Sequence, residues 1–116
     1  IVHVHNSGAA ANRATEAFSN LECEQLKYLV VGVEALSQGK AAEYALDFVK
    51  AHDCLVVVDE SSRIKNADAA RTKKAIRMGD SAEFRMILTG TPITQGIVDL
   101  FGQFRFLGKH IIGLST

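Results

Sequence analysis

An apolar run, Leu55-Val56-Val57-Val58, ends abruptly in Asp59-Glu60, and a second, Met86-Ile87-Leu88, ends in Thr89-Gly90-Thr91-Pro92. A strand with no polar residue along it suits a parallel sheet covered on both faces, and in open α/β sheets ligands bind at the carboxyl edge of such strands. That edge is where the two carboxylates fall. An acidic pair there suits a nucleotide carrying Mg2+. Asp59 can hold the ion, often through water because Mg2+ keeps much of its hydration shell, while Glu60 can orient a water for attack on the terminal phosphate.

Asp59-Glu60-Ser61-Ser62 is followed directly by Arg63-Ile64-Lys65-Asn66, and Leu88-Thr89-Gly90-Thr91-Pro92 comes about one helix–strand unit later. At these residues the chain resembles the Swi/Snf-type, helicase-like ATPases of helicase superfamily two. The first stretch matches the family's DExx box, the second its RIKN continuation and the third its LTGTP motif, all in the family's order. Ser62 stands where most members carry His, so a role of that His in relaying nucleotide state does not transfer. His3-Val4-His5-Asn6-Ser7-Gly8 resembles the strand after the family's first DNA-contact motif. Leu29 to Leu36 resembles the next, with Val33-Glu34 where Tyr-Glu is more usual.

The resemblance implies the latter part of a first RecA-like lobe, from a motor that couples ATP hydrolysis to movement on double-stranded DNA with ATP and Mg2+. It assigns magnesium to Asp59, the catalytic carboxylate to Glu60, and coupling of nucleotide state to DNA grip to Thr89, Gly90 and Thr91. Ser37, Gln38, Lys40, Arg63 and Lys65 become DNA-contact candidates. No GxxxxGK[ST] phosphate loop occurs. The nearest stretch, Gly39-Lys40-Ala41, lacks the hydroxyl that would reach magnesium, and Glu34 occupies the leading glycine's place. In the resembled family that loop lies upstream of the DExx box. Residues 1–116 are therefore expected to form a single partial domain, a fragment without the phosphate-loop strand and second lobe and inactive alone. Loss of that strand would leave Phe84 to Leu88 with an unpaired apolar edge, which invites self-association.

Short apolar strands alternating with helical segments predict a parallel α/β sheet flanked by helices. Strands are expected at Ile1 to His5, Tyr28 to Val33, Cys54 to Asp59 and Phe84 to Leu88. The first helix, capped by Asn6 or Ser7, should bury Ala11, Ala14, Ala17 and Phe18, and the second should run from Lys40 to Ala51. A third should start from a cap at Asn66 or Asp68 and stop at Gly79. The last, capped by Thr94, should bury Ile97, Leu100, Phe101, Phe104 and Leu107.

Thirteen Lys and Arg balance thirteen Asp and Glu among 116 residues, so no global basic field announces nucleic acid. The one basic concentration, Arg63, Lys65, Arg71, Lys73, Lys74 and Arg77, reads either as a solvated helix face or as a phosphate-backbone contact. Cys23 and Cys54 have no metal or redox spacing, which suits reduced, structural thiols. No apolar run approaches membrane-spanning length and no signal-like leader is present; a soluble, intracellular protein is expected. His3 and His5 share a strand face without a local third ligand, so ordinary strand residues are the better reading than a metal site. Phe101, Phe104 and Phe106 suit packing better than base stacking. Two other classes stay open: a strand-separating helicase or restriction-enzyme motor, and a noncatalytic DNA- or protein-contact module.

Overall fold

The structure, a computed structural model, describes residues 1–5, 9–22, 24–37, 40–108 and 111. Strand β1 (Val2–Val4) leads to helix α1 (Ala9–Ser19), and β2 (Tyr28–Val30) passes through a 3₁₀ turn (Val33–Ser37) into α2 (Ala41–Ala51). Strand β3 (Leu55–Asp59) runs through a second turn (Ser61–Ile64) into α3 (Ala70–Ser81), and β4 (Phe84–Leu88) through a third (Ile97–Asp99) into α4 (Leu100–Leu107). Each strand thus feeds a helix. Strands joined through a helical crossover pair in parallel, and β1 does so with β2, β3 with β4.

The pairings make two two-stranded sheets, not the one sheet the alternation predicts. The second strand gives out early: Val33, expected within it, already belongs to the 3₁₀ turn, and no ladder joins β2 to β3 among the described residues. Helices cover one face of the β3–β4 pair, where Val58 is buried with Phe48, Ile64, Met78 and Phe106. The opposite face is open. Leu55, Val57, Phe84, Met86 and Leu88 are all exposed there, so the expectation of a strand covered on both sides fails within these residues. Their alternation with Val56, Val58 and Ile87 is that of a sheet with a single covered face.

Several helix faces differ from the periodicity reading. On α1 the buried side chains are Thr15, Phe18 and Ser19, while Ala14 and Ala17 face solvent. Thr15 turns inward because its hydroxyl meets both His3 Nε2 and His5 Nδ1 at 2.8 Å, so the paired histidines serve strand–helix packing. Its single proton can be donated to one ring only, and the other ring must present an N–H. Phe18 stacks between His3 and Phe48. Caps expected at Asn6 or Ser7, the side chain of Ala11, and Cys23 lie outside what is described. Cys54 is buried, and burial pushes its thiol above the ordinary value.

Helix α3 begins after Ala69, with neither Asn66 nor Asp68 capping it by side chain; Asn66 Oδ1 instead accepts the Asp68 N–H at 3.0 Å in a local turn. Gly79 does not stop the helix, which continues to Ser81. A Cβ there would come within 2.9 Å of the Phe106 ring, so this glycine admits an aromatic side chain. On α4 the buried residues are Gly102, Gln103 and Phe106, whereas Ile97 and Phe101 are exposed and Leu100, Phe104 and Leu107 only partly covered. Gly102 sets that orientation. A Cβ on it would lie 2.0 Å from the Ile64 carbonyl oxygen and 2.7 Å from that of Lys65, so only glycine lets α4 rest on the turn that follows the acidic pair.

Gly102→Ala is expected to cost about 1–3 kcal/mol or more, because rigid backbone on both sides must move. Gly32→Ala, where an added Cβ meets nothing within 4 Å, should stay within about 0.5 kcal/mol of the parent. Denaturant melts of the two variants give the comparison, and equal effects would contradict the close approach. The open face of β3–β4 makes a second prediction. Sedimentation of the 116-residue chain should show concentration-dependent association that Phe84→Lys with Met86→Lys suppresses, and a monomer at every concentration would count against an available apolar face.

Candidate functional site

The parallel register places Asp59 beside Leu88. Glu60 and Thr89 therefore leave the same edge on adjacent strands, which lie about 4.8 Å apart in a sheet of this kind. Asp59 and Glu60 are exposed, as are Gly90 and Thr91, with Thr89 half-buried. Glu60 has φ 52° and ψ 55°, a left-handed conformation shared by no other non-glycine among the described residues. A side chain in that region costs about 1–2 kcal/mol, and such residues cluster where function needs them. Its backbone N–H donates to Asp59 Oδ1 at 2.9 Å, which orients the Asp59 carboxylate against the following turn. Asp59 keeps a second oxygen clear of that bond.

One such oxygen fits Mg2+, which commonly takes one or two carboxylates and completes its shell with phosphate and water. No group of three or more His, Cys, Asp or Glu converges as a metal cage among the described residues. The LTGTP turn is held from within, the Thr91 N–H donating to Thr89 Oγ1 at 3.1 Å. A cavity of about 370 Å³ lies elsewhere, between α2 and α3, lined by Glu43, Asp47, Lys50, Lys74 and Arg77 among others. Its charges are mixed, and none of the strand-end residues reaches it.

The residues after the acidic pair divide into inward and outward parts. Ser61 and Ile64 are fully buried, Ser62 half-buried and Arg63 exposed. Arg63 pairs with Glu34 at 2.7 Å and Arg71 with the other oxygen of Glu34 at 3.1 Å, which ties the Val33–Ser37 turn to the segment behind β3. Ser37 and Lys40 are exposed near that junction, at the end of the turn and the start of α2; Gln38 lies outside the described residues. Lys65 turns toward the loop after β4, where its ammonium donates to Thr94 Oγ1 and lies 4.0 Å from Asp99. The fold thus engages both Arg63 and Lys65 internally.

Sequence patterning overlooked three residues here. Glu34 gathers two arginines. Asp99 Oδ2 accepts the N–H groups of Gln95 at 2.7 Å and Thr94 at 2.8 Å and the Thr94 hydroxyl at 2.8 Å, so Thr94 caps nothing and is itself held from the start of α4. Those bonds, the Gln95 N–H foremost, hold the Asp99 carboxyl well below the usual carboxylate range. Gln103 is fully buried. Its Oε1 accepts from Ser61 Oγ at 2.6 Å, and its Nε2 donates to the carbonyls of Pro92 at 2.8 Å and Asp99 at 3.0 Å. Its available signal was a long polar side chain beside a glycine, inside a helix whose other residues, apart from Arg105, are apolar.

A strand-end acidic pair beside a Thr-Gly-Thr-Pro turn defines a helicase-like α/β domain. The family model for the SNF2-related domain matches residues 23–115, and the chain belongs to that family. It is 33% identical over 73 residues to a DNA repair and recombination protein RAD54-like of Drosophila grimshawi, a match covering 63% of this chain and 9% of that protein. Against the DNA repair protein RAD5 of Gibberella zeae, identity is 42% over 53 residues, 46% of this chain and 4% of the relative. An ATP-dependent helicase of Mycoplasma genitalium is 38% identical over 58 residues, 50% of this chain and 5% of its own length. The chain therefore corresponds to less than a tenth of these relatives. No described helix is long and apolar enough to cross a membrane.

Asp99 makes the site pH-sensitive in a defined direction. A carboxylate whose folded pKa lies below its unfolded value of about 3.9 stabilises fully above that value and loses its contribution as pH falls toward the folded one. The stability gap between the parent chain and Asp99→Ala is therefore expected to be level near neutrality and to close below about pH 4. Denaturant midpoints measured from pH 7 downward test this; a gap that widens in acid would contradict it.

Proposed function

We propose that the chain is the latter part of the first lobe of a DNA-dependent ATPase, in which ATP hydrolysis drives movement along double-stranded DNA. One observation carries the reading beyond family membership: the Asp59–Leu88 register sends the acidic pair and the Thr-Gly-Thr-Pro turn from one sheet edge. Asp59 would hold Mg2+, with water and phosphate as its other ligands. Glu60 would position the attacking water. Thr89, Gly90 and Thr91 would pass nucleotide state toward the DNA-bound surface, and Ser37, Lys40, Arg63 and Lys65 are the candidate backbone contacts. ATP binding would require a phosphate-loop segment and a second lobe from the rest of the polypeptide, working inside the cell as a soluble protein.

The open apolar face of β3–β4 favours a second reading, a noncatalytic module that presents a protein-contact surface. Kinetics of the complete polypeptide separate the two. Glu60→Gln keeps size and hydrogen bonding but loses the basic carboxylate, so it should leave ATP binding nearly intact and lower turnover by about 10²–10⁴-fold. Thr89→Ala with Thr91→Ala should reduce movement per ATP more than ATP affinity. The 116-residue chain alone should turn over ATP at background, since an arginine finger by itself can supply about a thousandfold. Unchanged turnover in Glu60→Gln would leave the contact-module reading standing.

A further inference from the structure

We infer that Gln103 is a positioning residue that couples the acidic pair to the Thr-Gly-Thr-Pro turn by way of Ser61. The inference rests on the ATPase reading above for its kinetic consequence and on the hydrogen bonds alone for its structural one. Neither threonine hydroxyl of the turn reaches the acidic segment; Thr89 Oγ1 is taken by the Thr91 N–H. Two side chains do bridge the segments among the described residues, Lys65 near the surface and Gln103 inside. Only the second is shielded from water, at 0% exposure with Ser61 also at 0%.

Its chemistry leaves one arrangement. Both Nε2 protons are directed at carbonyl oxygens, of Pro92 and Asp99, which a flipped amide would confront with a third oxygen. Oε1 therefore faces Ser61, and the serine hydroxyl has to donate. A shift of the backbone at Pro92 must move the amide head or break a buried bond. The head in turn holds Ser61, the residue directly after Glu60, whose backbone is itself held in the left-handed region. Gly102 supplies the support: it lets α4 sit directly on the Ile64 and Lys65 carbonyls, which places the neighbouring Gln103 between the two segments. Movement at the turn is thereby converted into movement of the water-positioning carboxylate.

The test uses the complete polypeptide with Ser61→Ala, Gln103→Leu and the double variant. Amide hydrogen exchange is read in residues 61–66 and 89–99, and ATP turnover is read with and without DNA. Ser61→Ala is expected to speed exchange in both segments by about tenfold, the scale of one buried hydrogen bond, and Gln103→Leu, which removes three, by at least as much, while β1 and α2 keep their protection. Turnover should fall by a similar factor with KM for ATP within about twofold, and the double variant should be no worse than Gln103→Leu alone, because the bond that Ser61→Ala removes is one of the three that Gln103→Leu removes. Faster exchange in 61–66 with 89–99 unchanged in Ser61→Ala, or multiplied losses in the double variant, would overturn the inference. If Gln103→Leu does not fold, Ser61→Ala decides by itself. A parent protein without ATP turnover would sink the ATPase reading and leave the exchange comparison to judge the coupling.

Discussion

The parallel ladder between β3 and β4 is the constraint from which the site follows. Its register, from Leu55 with Phe84 to Asp59 with Leu88, is fixed by which side chains the helices cover. A slip of β3 by one residue would turn Val58 outward and drive Leu55, Val57 and the Asp59 carboxylate into the apolar side. The hydrophobic alternation thus sets more than stability. It decides that an acid and a threonine-bearing turn finish side by side, separated by one strand spacing.

Helix α4 imposes the second condition. Two glycines let it come close: Gly102 removes the side chain that would strike the carbonyls after the acidic pair, and Gly79 on α3 clears space for Phe106. Both are sites of helical glycine, each of which costs about 1 kcal/mol in propensity against alanine. Full burial of Phe106 and Ile64 offsets that loss, at about 1.5–3 kcal/mol for each apolar side chain removed from water. A buried amide then does what apolar packing cannot, because hydrogen bonds have direction. Gln103 joins three backbone or side-chain groups drawn from two strand-end segments and its own helix.

The parts of the fold that the sequence disclosed are those written in local patterns. The DExx strand end, β4 and α2 follow from runs of apolar residues with sharp polar limits, and they fall within a residue of their expected bounds. The family was readable for the same reason. What the pattern could not convey was the identity of the neighbour each face meets. Thr15 lies inward because two histidines twelve and ten residues away need its hydroxyl. Gly79 and Gly102 look like a stop signal and an ordinary small residue until another chain segment is placed against them. The apolar stripe expected on the last helix is offset: Ile97 and Phe101 lie outside the core and Phe106 is at its centre, because the seat of α4 is decided by the absence of a side chain at Gly102. The roles given to Asp59, Glu60 and the threonines remain a matter of motif and register, while Gln103, Glu34 and Asp99 emerge only in three dimensions.

Glu60 occupies a backbone region that glycine enters without steric cost and asparagine with little. Selection for thermal endurance alone would favour exchanging it for one of those residues, whereas selection for the phosphate chemistry proposed above would forbid the exchange. The two pressures meet at one position and point in opposite directions. In descendants released from the proposed activity, this carboxylate is accordingly the place where decay would be indistinguishable from improvement of the fold.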